Sequence, residues 1–138
     1  EAVGRRSARL IRRLVLNASL PWETQRKRMS MAMAAVRPPK GVASERRAVG
    51  GVPCELLVPK AAEAVATLVH VHGGGFTVGG PSSCRSWAGA LVERLGIAVV
   101  LPDYRLAPEQ PFPAGLEDTV AVLDEVLSGA PEGSAGSR

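Results

Sequence analysis

The sequence predicts an α/β protein, and three observations carry that prediction. Two short runs, Val65–Val71 and Ile97–Leu101, are almost wholly apolar or β-branched, the composition of strands buried on both faces of a parallel sheet. Helical periodicity lies between them and again after the second, so strand and helix alternate. An unbroken glycine triplet, Gly73-Gly74-Gly75, directly follows the first run, at the sheet edge where open α/β sheets bind ligands.

Composition agrees with a packed domain. Of 138 residues, 46% are hydrophobic and 22% charged, which excludes disorder and collagen-like repetition. No apolar run reaches the roughly 18 residues of a membrane-spanning helix, so no integral membrane association is expected. The net charge of +4 is unevenly placed: residues 1–47 hold twelve basic and three acidic residues, and the other 91 hold five and ten. Such a basic segment is a solvated helical face or an arm for anionic lipid or nucleic acid. Cys54 and Cys84 form no Cys-x-x-Cys and read as reduced thiols of a cytoplasmic protein.

The elements follow in order. Residues 3–20 read as an amphipathic helix, with Leu10, Ile11, Leu14 and Val15 at helical spacing among five arginines, ended by Pro21. A second helix, Glu23–Val36, carries Met29, Met31 and Met33, read as core or lid packing. Arg46–Gly50 and Val52–Val58 are strands joined by a Gly50-Gly51 hairpin turn. After the Val65–Val71 strand, Ser82 or Ser83 caps a helix to Leu95 with Trp87, Leu91 and Leu95 on one face and Gly96 as its stop. The Ile97–Leu101 strand ends at Pro102. Residues 108–113 are a proline-rich loop, and Pro113 opens a helix whose apolar stripe is Leu116, Val120, Leu123 and Leu127. The crossover between the two apolar strands places the glycine triplet at their C-terminal ends.

His72-Gly73-Gly74-Gly75-Phe76 is the motif that bears chemistry. Three glycines remove every Cβ from a short loop, permit positive φ, and let N–H groups approach a bound atom. Such donors suit a developing oxyanion. Other readings stay open on the five residues alone. A phosphate loop would want a Lys after its last glycine, and none follows. His70 and His72 share a strand face and could begin a metal site, but no third histidine exists. A tight turn without chemistry is the remaining option.

Three segments in order, His72–Phe76, Asp103-Tyr104-Arg105-Leu106-Ala107-Pro108-Glu109 and Pro111-Phe112-Pro113-Ala114-Gly115-Leu116-Glu117-Asp118, closely resemble the hormone-sensitive-lipase-like family of α/β-hydrolase-fold carboxylesterases and lipases. The resemblance runs from about Val42 to Leu127. It implies a partial α/β-hydrolase fold, the N-terminal strands and helices of a mostly parallel sheet, preceded by a helical cap. It implies that Gly73, Gly74 and Gly75 supply oxyanion-hole N–H groups, that His72 braces the loop, and that Asp103 and Arg105 fix the neighbouring loop. The basic N-terminal helices then resemble a cap over the acyl pocket, and no nucleic-acid partner is expected. The substrate would be a small-molecule acyl ester; no cofactor and no metal are implied, and the oligomeric state is not legible.

A serine hydrolase of this fold also needs a nucleophile in Gly-x-Ser-x-Gly, then an acid and a histidine. The sequence has no Gly-x-Ser-x-Gly and no histidine after His72; Gly133-Ser134-Ala135-Gly136 imitates half of the motif with Glu132 in front. The expectation is a cap over residues 1–41, the N-terminal half of a hydrolase domain over 42–128, and a disordered tail or truncation end over 129–138. Such a chain supplies cap and oxyanion hole without nucleophile, acid or base and is inactive alone. It also leaves the apolar edge of the Val65–Val71 strand open. The alternative is a catalytically inactive remnant or a binding module of the same origin.

Overall fold

The computed structural model describes residues 19–34 and 37–129. The expected helix over residues 3–20 lies almost wholly outside the described residues, as does the tail after Gly129. The elements are α1 (Trp22–Ala34), β1 (Val42–Val49), β2 (Val52–Pro59), β3 (Thr67–Val69), a 3-10 turn (Pro81–Ser83), α2 (Arg85–Leu95), β4 (Ala98–Pro102) and α3 (Ala114–Leu127).

The four strands form one sheet in the order β1-β2-β4-β3. β1 with β2 and β2 with β4 are antiparallel, and β3 with β4 is parallel. The sheet, expected to be mostly parallel, is therefore mixed over these four strands, and β3–β4 is its parallel pair. The Gly50-Gly51 turn holds φ of 58° and 75°, the left-handed pair that a two-residue hairpin demands. A Cβ at Gly50 would also overlap the Ala121 carbonyl of α3.

Alternate residues of β2 and β4 build a core on each face. Leu57, Val99 and Leu101 pack with Val42 against Ala88 and Val92 of α2. Cys54, Leu56 and Val100 pack with Val49 and Val52 against Val122 of α3. The period-two alternation of a strand thus divides one apolar run between two helices.

Several expectations are corrected. β1 starts at Val42 rather than Arg46, because its Ser44, Glu45 and Arg46 face solvent and leave no apolar run to read. β3 has three residues rather than seven and is not buried on both faces: it lies at the sheet margin, with Val65, Leu68 and Val71 exposed. Neither Ser82 nor Ser83 caps α2. The Ser83 hydroxyl donates to the Gly80 carbonyl at 2.6 Å, and Cys84 takes the cap position. The inner face of α2 is Ala88, Gly89 and Val92, with Trp87 and Leu95 exposed. The expected stripe of α3 is likewise its exposed face; Ala114, Gly115, Asp118 and Val122 are buried instead. Gly96 does end α2, at φ 66°.

Candidate functional site

Because β3 and β4 run parallel, the segments that leave them emerge at the same sheet end. His72–Phe76 leaves β3, and Asp103–Arg105 leaves β4. The two are tied by Ala107 N–H donating to the Phe76 carbonyl at 2.8 Å.

His72 is buried, and its ring lies flat on that of Tyr104, with centroids 4.2 Å apart and planes 11° from parallel. The Tyr104 hydroxyl donates to the His72 carbonyl at 2.7 Å. His72 Nδ1 lies 3.0 Å from the Gly73 carbonyl oxygen, so Nδ1 carries the hydrogen. Nε2 is buried with no partner among the described residues. Burial holds the imidazole below its ordinary 6.5, against the opposing pull of the Gly73 carbonyl and Asp103. A Cβ at Gly79 would sit 2.5 Å from Nδ1, so the chain can close over the ring only because residue 79 has no side chain.

Gly74 and Gly75 take φ of 134° and 61°. Gly74's carbonyl accepts from the Thr77 and Val78 N–H groups, both at 3.2 Å, and from the Thr77 hydroxyl at 3.1 Å. A Cβ on Gly74 would overlap the Val78 carbonyl, whereas Gly73 and Gly75 face open space. Among the described residues, no protein acceptor takes the N–H groups of Gly73, Gly74 or Gly75. Phe76 is itself left-handed at φ 58°, strained for a bulky side chain. It is held there by Ala107 N–H and by its ring against Tyr104, 5.8 Å away.

Arg105 and Asp118 fix the second loop. Asp118 Oδ2 accepts the Arg105 N–H at 2.8 Å, and its two oxygens accept Arg105 Nε at 2.9 and 3.0 Å. Burial would push the Asp118 carboxyl up; the Arg105 side chain and backbone N–H overcome that and hold it low. The resemblance made Asp103 and Arg105 loop-fixing residues; Arg105 does so through Asp118 of α3, and the Asp103 side chain is exposed. Beneath the loops, a Cβ on Gly115 would sit 3.0 Å from the Arg105 carbonyl and 3.2 Å from the Tyr104 ring.

The sequence reading missed Arg26 and the Glu55–Arg85 pair. From α1, Arg26 donates through Nε to the Thr77 carbonyl at 2.7 Å, and through Nη2 to the Ala107 carbonyl and to Glu109 at 2.8 Å. Nothing in the run Arg26-Lys27-Arg28 singles it out before the loops are placed. Glu55, buried in mid-strand, accepts Arg85 Nε and Nη2 at 2.5 and 2.7 Å and the Ser44 hydroxyl at 2.8 Å. A cleft of about 520 Å³ separates α1 from the turn after the glycine loop, lined by Met29, Met31, Arg46, Pro81, Ser83 and Asp103 among others.

Other chemistries find less here. His70 packs on Trp87 and His72 on Tyr104. No group of three metal-ligating side chains converges among the described residues. Cys54 and Cys84 are free; burial pushes the Cys54 thiol up to about 11. No helix among the described residues is long and apolar enough to cross a membrane.

Comparison with known proteins places this geometry. A family model described as the alpha/beta hydrolase fold matches residues 68–138. An acetyl-hydrolase of Streptomyces hygroscopicus is 44% identical over 68 residues, 49% of this chain and 23% of the relative. A carboxylesterase, NlhH, of Mycobacterium tuberculosis is 43% identical over 65 residues, 47% of this chain and 20% of the relative. Among solved structures, an esterase from the bacterial hormone-sensitive lipase family superposes with a TM-score of 0.76 at 30% identity, covering 90% of this chain and 42% of that one. The esterase EstE5, soaked with p-nitrophenyl butyrate, superposes at 0.70 with 31% identity, covering 87% of this chain and 41% of that one. The chain spans less than a third of the length of these curated relatives. With the fold, the family model and the esterase neighbours in agreement, this chain belongs to the α/β-hydrolase-fold family and resembles its hormone-sensitive-lipase esterases.

Proposed function

We propose that the chain supplies the cap and the oxyanion donors of a serine-type carboxylic-ester hydrolase acting on small acyl esters. One observation carries the reading: Gly73, Gly74 and Gly75 present N–H groups with no protein acceptor among the described residues, on a loop braced by a buried histidine. Donors fixed before the reaction stabilise the charge of a tetrahedral intermediate without reorganising, worth about 3–4 kcal/mol each in a dry site. His72 acts as a brace: its ring is stacked on Tyr104, its Nδ1 donates to the Gly73 carbonyl, and burial disfavours its protonated form. The hydroxyl proton of a serine nucleophile would need another base. Among the described residues no serine hydroxyl is hydrogen-bonded to a histidine. In this reading the chain contributes neither nucleophile, acid nor base, and the family's chain order puts those residues after the glycine loop. The α1 helix and the cleft beside it would cover the acyl group, with Met29 and Met31 as its adaptable apolar wall.

The test compares two polypeptides on p-nitrophenyl acetate and butyrate. The chain alone is expected to give no burst and no turnover above background. The chain joined after residue 138 to the part of a relative that follows the matched region is expected to turn over, and Gly74→Ala in the joined protein to abolish it. A burst from the chain alone, or turnover indifferent to Gly74→Ala, would refute the proposal.

A further inference from the structure

We propose that Arg26 is a positioning residue for the glycine loop: its guanidinium, carried on α1, pins the far end of that loop to the loop after β4. This deepens, and rests on, the reading of Gly73–Gly75 as oxyanion donors. The planar fork sends Nε to the Thr77 carbonyl and Nη2 to the Ala107 carbonyl, acceptors thirty residues apart in the chain. Neither carbonyl has another hydrogen-bond donor among those described. Glu109 accepts from the same Nη2 and holds the guanidinium in plane from the third side. The pinned segments are those that set the loop's shape. Thr77 returns both its N–H and its hydroxyl to the Gly74 carbonyl, and Ala107 N–H holds the left-handed Phe76.

Charge-assisted bonds to two carbonyls at a fixed spacing suit an arginine fork and not an ammonium, which is a single point charge. Arg26 is only partly exposed, its side chain 23% accessible, so water competes weakly for the two carbonyls. The same helix, Arg26 included, walls the cleft that reaches Gly79 and Gly80 on the chain leaving the loop. Arg26 therefore fixes the distance between the cleft wall and the glycine N–H groups.

Hydrogen–deuterium exchange on the 138-residue chain, read by mass spectrometry at low concentration, tests this without substrate. Arg26→Gln is expected to raise exchange tenfold or more in the segments covering residues 72–80 and 104–110, with β2 and β4 unchanged. Arg26→Lys is expected to do the same, because an ammonium cannot span both carbonyls, and Glu109→Gln to keep the protection, because both carbonyl contacts remain. Three results would each overturn the proposal: unchanged loop exchange in Arg26→Gln, full protection in Arg26→Lys, or loop and sheet losing protection together. Failure of the ester-hydrolysis test would leave this exchange result standing, and the reverse also holds.

Discussion

Tyr104 and His72 lock two loops with one contact of two kinds: their rings stack at 4.2 Å, and the Tyr104 hydroxyl donates to the His72 carbonyl at 2.7 Å. Both side chains are buried, so the bond has no ready substitute in water. Tyr104→Phe keeps the stack and leaves the His72 carbonyl unpaired. It is expected to cost about 1–2 kcal/mol of stability in urea denaturation. Tyr104→Ala, which also empties the space, is expected to cost about 3–5 kcal/mol.

The state of His72 makes stability depend on pH. Burial lowers its folded value below 6.5, so the unfolded chain binds a proton more readily than the folded one. Protons therefore favour unfolding. The contribution is full above about pH 6.5 and shrinks as pH falls from there toward the folded value. Thermal unfolding from pH 7.5 to 5.5 is expected to show this decline, and His72→Gln to flatten it. Asp103 and His70 also act on the ring, so Asp103→Asn should widen the declining window by withdrawing the charge that favours the imidazolium.

The three glycines are expected to differ in tolerance although the sequence writes them alike. Gly73 has neither a positive φ nor a neighbour, so Gly73→Ala should change stability by no more than about 0.5 kcal/mol. Gly75 has space but a φ of 61°, and alanine there should cost about 1–2 kcal/mol. Gly74 has a positive φ and the Val78 carbonyl in the way of any Cβ. Gly74→Ala should cost about 2–3 kcal/mol, with the largest loss of loop protection.

Glu55 and Arg85 form a buried fork between β2 and the start of α2. Burial works to raise the Glu55 carboxyl, but the Arg85 and Ser44 hydrogen bonds prevail and hold it below its usual 4.5. The lowered value adds stability that is fully present above the unfolded value and is lost as pH falls through the folded one. Arg85→Met would leave a buried carboxylate with only the Ser44 hydroxyl as donor and is expected to cost about 3–5 kcal/mol. Glu55→Leu with Arg85→Met should recover most of that loss, because both charges leave together. Urea midpoints at pH 7 and pH 3.5 check the magnitude and the sign.

Strand and helix alternation, the hairpin glycines, the stop at Gly96 and the glycine loop at the end of β3 were all legible, because each rests on local chemistry: branching, backbone freedom and apolar runs. The helix faces were not. Leu116, Val120, Leu123 and Leu127 make the more apolar stripe, but α3 lies so close to the hairpin and the loop that its inner face takes Ala114, Gly115 and Val122 instead. Periodicity finds an apolar face; only the neighbour decides which face is pressed against the sheet. The same reason explains β3, whose residues look fully buried in sequence and lie at the sheet margin, exposed, in the fold.

The sequence by itself thus determined the class of fold, its family resemblance and the position of the glycine loop, since these depend on residue types in order along the chain. Only the tertiary structure decided what holds that loop. Arg26 meets Thr77 and Ala107 across 51 and 81 residues. Tyr104 covers His72, and Asp118 takes Arg105. Those partners are chosen by geometry: a fork, a ring or a carboxylate acquires its role when folding brings the right partner into contact, a proximity with no counterpart along the chain.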